Sequence, residues 1–372
     1  MWFRLIFNIS DNNMRVIQII DSLEAGGAER MAVSYANALS ETIGFSGLVI
    51  TRKEGPLKVQ VGNSVSYLFL NKKRVIDFGA LYRLRKFVKR HQVTVVHAHS
   101  TSFFMAFLLK LICPSLHLIW HDHYGDSEFL SKRPLGALQI AAPFFSGIIA
   151  VNQKLKVWAQ QKLNFKNTIY LPNFPSEENN SIAETFLEGI PGKRIVCLAN
   201  LRVQKDHFLL LDVAFKLKLS HPEWTFHLVG KDFNDDYSQK IKDLIIAADL
   251  EKNVFLYGTK NDITHILKQS TIGILTSQSE GLPVALLEYG WYQKPVVVTA
   301  VGEIPSLVAH GKNGFLVAAQ QESLFYEALV ALIKNDALQQ EFGNALYHTV
   351  RSHNSETAVI AQYLNWLQNS YK

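Results

Sequence analysis

Cysteine is nearly missing from the 372 residues. Only Cys113 and Cys197 occur, far apart in apolar segments, so neither a disulfide framework nor a cysteine zinc site is available. The reducing cytoplasm fits such a chain best. Long apolar runs are also missing: the longest candidate, Phe103 to Cys113, is broken by Lys110 and ended by Pro114, short of the roughly 18 to 20 residues that a membrane-spanning helix needs. Charge of one sign is not in great excess, with 38 Lys+Arg against 32 Asp+Glu. No aromatic and basic recognition motif accompanies it, so nucleic-acid binding is not expected. Charged residues at 19% and aromatics at 11% exclude a disordered chain, which needs high charge and few large apolar groups. The glycine pattern G-x-G-x-x-G is missing, and with it a nicotinamide or flavin fingerprint.

What is present is 48% hydrophobic residues, ample for two cores. The opening Met1 to Phe7 is too short for a signal peptide, and Asn8, Asp11, Asn12 and Asn13 follow without a small-residue cleavage site. It reads as an appendage, with Met14 directly before a strand. From Arg15, short β-branched runs alternate with segments of helical period, the pattern of a parallel sheet covered by helices. Strands are expected at Val16 to Ile20, Gly47 to Thr51, Val65 to Leu70, Val93 to His97, Leu116 to Trp120, Ile148 to Val151 and Thr168 to Leu171. Residues 174 to 193, with Pro175, a polar run and Pro191-Gly192, lose the rhythm and read as a connection. A second alternation follows, with strands at Arg194 to Leu198, Thr225 to Val229, Val254 to Tyr257, Ile272 to Leu275, Pro295 to Thr299 and Gly314 to Val317, then three helical stretches after Gln321. The expected architecture is α/β, two doubly wound Rossmann-like domains at 14–185 and 190–355 facing across a cleft. A last helix, 356–372, packs back on the first domain. Open parallel sheets bind ligands at the carboxyl ends of their strands.

Three segments at such ends carry chemistry. The first strand runs into a turn containing Gly26 and Gly27 before a helix, where backbone amides and the helix dipole favour negative charge; a steric use of glycine is the alternative. Ser279 to Glu288 follows another strand. Pro283 suits the first helical turn, which places Glu280 in the preceding loop and Glu288 about two turns inside, up to roughly 12 Å away. Two acceptors at that spacing can hold opposite ends of a hydroxyl-rich ligand while the amides of Gly281 and Leu282 face its anionic middle; the alternative is an ordinary dipole-stabilising acid and a solvated one. Third, Arg202 and Lys205 lie three residues apart in the loop after Ala199-Asn200, able to neutralise a diphosphate or simply to be solvated.

In this order the segments resemble the retaining GT-B glycosyltransferases of family 4, over residues 14 to about 355. The resemblance includes Gly-Gly-Ala-Glu-Arg at 26 to 30, Leu171-Pro172-Asn173, the Lys205 loop, Val229-Gly230, Tyr257-Gly258 with Asn261-Asp262-Ile263, Glu280 and Glu288, Gly302-Glu303-Ile304-Pro305 and Gly311-Lys312-Asn313-Gly314. It implies transfer of a sugar from a UDP- or GDP-sugar, bound by the second domain, to a hydroxyl of a saccharide or lipid-linked acceptor in a bacterial surface-polysaccharide pathway. The first domain would be the acceptor side. Glu280 would contact donor-sugar hydroxyls, Glu288 the ribose, and Arg202 and Lys205 the pyrophosphate, with Gly27 allowing close approach. Many relatives have Gly-Arg where this chain has Ala199-Asn200, so Arg202 is taken to supply the displaced guanidinium. His121 would donate toward the leaving phosphate or the sugar. An inactive sugar-nucleotide-binding subunit of an assembly complex is the alternative reading.

No cofactor and no metal are expected, because cations and helix N-termini can stabilise the leaving group. A competing metal-dependent hydrolase would use His97, His99, His121 and His123, since alternate residues of a strand share a face, but further ligands at other strand ends are not evident. Asp232 to Asp236 reads as a solvated loop capping the next helix. Arg83, Arg85, Lys86, Lys89 and Arg90 make a cationic face on an amphipathic helix whose Leu81, Leu84, Phe87 and Val88 turn inward. That face is either merely solvated or attracted to anionic lipid at the inner face of the plasma membrane.

Overall fold

The computed structural model describes residues 14–175 and 183–370. The expected appendage at 1–13 and the middle of the connection, 176–182, lie outside the described residues, as do 371–372. Two all-parallel sheets form, in which strands covered on both faces read as near-continuous apolar runs. The first has seven strands in the order β3-β2-β1-β4-β5-β6-β7: β1 Arg15–Ser22, β2 Phe45–Lys53, β3 Ser66–Phe69, β4 Val95–His99, β5 His117–Asp122, β6 Gly147–Ala150 and β7 Thr168–Tyr170. The second has six, β10-β9-β8-β11-β12-β13: β8 Arg194–Leu198, β9 Thr225–Val229, β10 Val254–Gly258, β11 Ile272–Leu275, β12 Val296–Thr299 and β13 Phe315–Val317. In each, sequence order reverses once, at β1/β4 and at β8/β11. A doubly wound sheet opens its ligand crevice at such a reversal.

Contacts divide the chain into two compact units. The first holds the chain up to Tyr124, Leu130–Pro172 and the chain from Val359; the second holds Gly125–Phe129 and Asn173–Ala358. In the first unit, Ile17, Ile19, Val96, Ala98, Leu118 and Trp120 face one core with the helices Phe78–Arg90 and Phe103–Ile112. Because strand side chains alternate, Gln18, His97, His99 and His121 point to the other face. There Tyr35 of helix Gly27–Ser40 and Tyr363 of helix Glu356–Ser370 pack on the rings, with centroids 5.2 Å from His97 in both cases. The last helix also lays Trp366 against Gly147 of β6 and donates its indole N–H to Asn167 at 3.2 Å.

β4 and β5 each run two residues further than the sequence suggests, so His99 and His121 are strand residues rather than strand-end loops. The register explains it: His99 pairs directly with His121. In the second unit, helix Val284–Trp291 starts one residue after Pro283, whose ψ of 122° is extended. Glu288 is therefore little more than one turn into the helix, not two.

Candidate active site

In the second unit β8 and β11 pair only at Ile195–Ile272 and Val196–Gly273. Past that point the Leu198 N–H donates to the Tyr289 hydroxyl at 2.7 Å, so the helix Val284–Trp291 satisfies the backbone where the strands part. Burial pushes the Tyr289 phenol well above its ordinary value.

The loops leaving these two strands are stitched together. The Thr276 hydroxyl donates to the Lys205 carbonyl at 3.0 Å, the Gln278 N–H to the Gln204 carbonyl at 2.8 Å and the Gln278 amide to Asp206 Oδ2 at 2.8 Å. Asp206, left-handed at φ 50°, a conformation that aspartate tolerates, caps helix His207–Ser220 through the Leu209 N–H. This framework delivers Lys205 Nζ to Glu280 Oε1 at 2.5 Å, and Ser277 Oγ donates to the same oxygen at 2.7 Å. Glu280 is only 5% exposed, and the Lys205 side chain is 20% exposed. Beneath them burial pushes the Cys197 thiol up to about 12, so it is an inert core thiol.

The Glu280 backbone is held as closely. The Ser127 hydroxyl donates to its carbonyl, the Glu303 N–H donates to the Gly281 carbonyl at 2.9 Å, and the Asn173 amide donates to the Leu282 carbonyl at 2.7 Å. Gly302 sits at φ +58° against the Glu280 and Gly281 carbonyls, where a Cβ would collide with backbone. Its N–H donates to Glu128 at 2.9 Å. Glycine is needed there on both counts.

Arg202 does not reach this pair. It is exposed, and its guanidinium lies 4.7 Å over the Phe233 ring, with Lys231 Nζ 5.1 Å from the same ring. Asn200 Oδ1 accepts the Lys231 N–H at 2.7 Å, which fixes the turn that brings Lys231 and Phe233 beside the Arg202 loop. Asp232 pairs with Lys242 at 2.5 Å, and Asp235 caps the following helix through the Ser238 N–H at 2.9 Å. Next to this loop a cavity of about 220 Å³ is lined by Ala199, Gly230 and Gly258 among others. Glu288 is half-buried in its helix. The sequence reading missed Ser277, Lys231 and Phe233; the Ser-x-x-Glu spacing at 277–280 was the one available signal.

In the first unit, Gly26 and Gly27 sit where β1 passes into helix Gly27–Ser40, with Gly27 exposed. His121 is fully buried. Its Nδ1 lies 3.1 Å from His97 Nε2, and its ring centroid 3.9 Å from that of His123. His123, one residue past β5, is partly exposed. The end of β5 is anchored by a buried two-pronged pair between Asp122 and Arg133, at 2.6 and 2.8 Å, with the guanidinium also over Tyr124 and Trp158. His97, His99 and His121 bring ring nitrogens within 4.8 Å of one another, the one such cluster found among the described residues. Burial holds all three well below the usual histidine range and His123 at about 3. These are neutral rings.

Known proteins share this architecture. Residues 186–349 match the family described as Glycosyl transferases group 1, and residues 25–174 match Glycosyltransferase Family 4. The chain is 26% identical over 322 residues to an uncharacterized glycosyltransferase of Haemophilus influenzae, covering 84% of this chain and 88% of that one. It is 24% identical over 318 residues to the UDP-Gal:alpha-D-GlcNAc-diphosphoundecaprenol alpha-1,3-galactosyltransferase of Escherichia coli, 78% and 80% of the two chains. Among solved structures, Anabaena HepE in complex with UDP-glucose superposes with a TM-score of 0.78 at 17% identity, over 96% of this chain and 100% of that one. With both halves matched in order on two parallel sheets of this topology, the chain belongs to the family 4, group 1 glycosyltransferases and has the GT-B fold.

Proposed function

We propose that the protein is a retaining, metal-independent hexosyltransferase that moves a sugar from a UDP- or GDP-sugar to a hydroxyl of a lipid-linked or oligosaccharide acceptor in bacterial surface-polysaccharide synthesis, in the cytoplasm at the inner face of the plasma membrane. The observation that carries the reading is the Lys205–Glu280 pair, braced by Ser277 at the β8/β11 reversal. An ammonium has three donors. Lys205 keeps one on Glu280 and turns the others to the diphosphate, with Arg202 and Lys231 adding charge from the Phe233 ring. Glu280 accepts from donor-sugar hydroxyls, Glu288 from the ribose, and the amides of Gly281 and Leu282 face the phosphates. Gly26, Gly27 and the amides of the helix they open lie on the acceptor side, together with His123 and, behind it, His121.

The bond from C1 to the phosphate oxygen breaks, and its electron pair leaves with the nucleoside diphosphate. The acceptor oxygen bonds to C1 from the same face, and the departing phosphate oxygen takes the acceptor proton. Cations fixed beside that phosphate stabilise charge as it develops, at no cost of reorganisation. The E. coli relative supports a lipid-linked acceptor and HepE a UDP-sugar.

The test is to incubate the full chain with UDP-glucose, UDP-galactose, UDP-N-acetylglucosamine and GDP-mannose, with and without excess chelator, following nucleotide release and the product anomer by NMR. One donor is consumed at the same rate with chelator, and the product keeps the donor configuration. An inverted product removes the retaining mechanism. Activity lost to chelator and restored by a divalent ion removes metal independence, and binding without turnover of any donor favours a non-catalytic subunit.

A further inference from the structure

The histidine face of the first sheet holds polar groups that the proposed reaction leaves unused. Gln18, His97, His99 and His121 are fully buried, and burying such groups costs free energy unless they are hydrogen-bonded. Each neutral ring has one N–H and one lone pair, so every bond in the cluster has a direction. Gln18 Oε1 can only accept, and it lies 2.8 Å from His99 Nε2; the proton of His99 is therefore on Nε2, and its Nδ1 is an acceptor. His99 Nδ1 lies 3.0 Å from His123 Nε2. His123 must donate there, which leaves its Nδ1 as a lone pair.

We propose that Gln18 and His99 are positioning residues that lock His123 in its Nε2–H form, so that the partly exposed ring at the end of β5 meets a substrate hydroxyl as a hydrogen-bond acceptor and never as a donor. The inference deepens the reading of this strand end as acceptor side and rests on it. Turning the Gln18 amide over would reverse every bond in the chain, since Nε2, now without a hydrogen-bond partner among the described residues, would become the donor to His99. Metal binding by His97, His99 and His121 competes poorly. Both nitrogens of His99 are already engaged, and the His97 and His99 rings are stacked at 20°.

The test is long-range proton–nitrogen NMR of the full chain labelled with ¹⁵N-histidine, at pH 7.5, with peaks assigned by their loss in His99→Asn and His123→Asn. Protonated Nε2 and bare Nδ1 are expected at both rings. Gln18→Met should convert His123 to a mixture of forms and lower turnover about five- to tenfold, the loss of one neutral hydrogen bond, with the donor KM unchanged. A proton on Nδ1 of His123, a metal-bound shift at His99, or a His123 signature unmoved in Gln18→Met overturns the relay. If Gln18→Met does not fold, the parent spectrum alone decides. Should His123→Asn transfer sugar at the parent rate while the tautomers are as stated, it is the acceptor-side reading that fails.

Discussion

At the scale of single residues, Lys205 and Glu280 do two jobs that substitution can separate. Removing one member of a largely buried ion pair leaves the other charge desolvated and uncompensated, a cost on the order of 2–4 kcal/mol once the partial exposure of Lys205 is allowed for. Lys205→Ala therefore loses stability as well as about 10²- to 10³-fold in turnover, the usual effect of deleting one stabiliser of developing charge. The double variant Lys205→Met with Glu280→Leu regains most of the stability and none of the activity, as thermal melts beside steady-state kinetics will show. A double variant as unstable as the single one would mean that the pair is held by something other than its own charges. Sequence spacing made both residues candidates, but that they touch could not be read, because the loops after β8 and β11 become neighbours only through a sheet pairing of residues 77 positions apart.

Among the elements, the helix Phe78–Arg90 shows how much periodicity can settle. Ala80, Leu81, Leu84 and Val88 are buried and Asp77 caps the start through the Ala80 N–H at 2.9 Å, a sequence-legible arrangement. Less legible are the segment before it and its outer side: Val75 and Ile76, then Phe78 and Tyr82 of the helix, are all exposed, as are Lys73, Arg74, Lys86, Lys89 and Arg90. Apolar side chains next to cations suit an anionic bilayer surface. Flotation with phosphatidylglycerol vesicles should capture the protein, and phosphatidylcholine vesicles should not. Replacing Lys86, Lys89 and Arg90 together by serine should weaken capture about 10²-fold, at about 1 kcal/mol per cation, and raised salt should mimic the change. Equal capture by both lipids, insensitive to salt, would show that the charges are only solvated.

At the scale of the whole molecule, burial holds six rings among the described residues far below the usual histidine range: His97, His99, His121 and His123 in the first unit, His207 and His227 in the second, the last three of these at about 3, 4 and 3. The unfolded chain takes up these protons near pH 6.5 and the folded chain does not. Stability is thus fully present above that pH and is lost as pH falls toward the folded values, at about 1.4 kcal/mol per pH unit for each ring. Urea midpoints should be flat from pH 7 to 8.5 and fall steeply between 6.5 and 5, the first unit going first because it holds four of the six. A midpoint unchanged at pH 5 would show that the rings are charged, or solvated, in the folded state.

By itself the sequence determined the two alternations of strand and helix, the thirteen strands of the described residues to within a few residues, and the turns where Gly26, Arg202, Lys205 and Glu280 stand. All of these follow from local periodicity and turn chemistry, which need no knowledge of distant partners. Only the tertiary structure decided that Lys205 meets Glu280, that Arg202 rests on Phe233, and that helix Glu356–Ser370 lays Tyr363 on the histidine face. Only the register of β4 against β5 turned two His-x-His patterns into one buried, directional cluster. Each of these joins residues far apart in the chain, and which distant groups meet is set by the pairing of strands and the packing of helices on them.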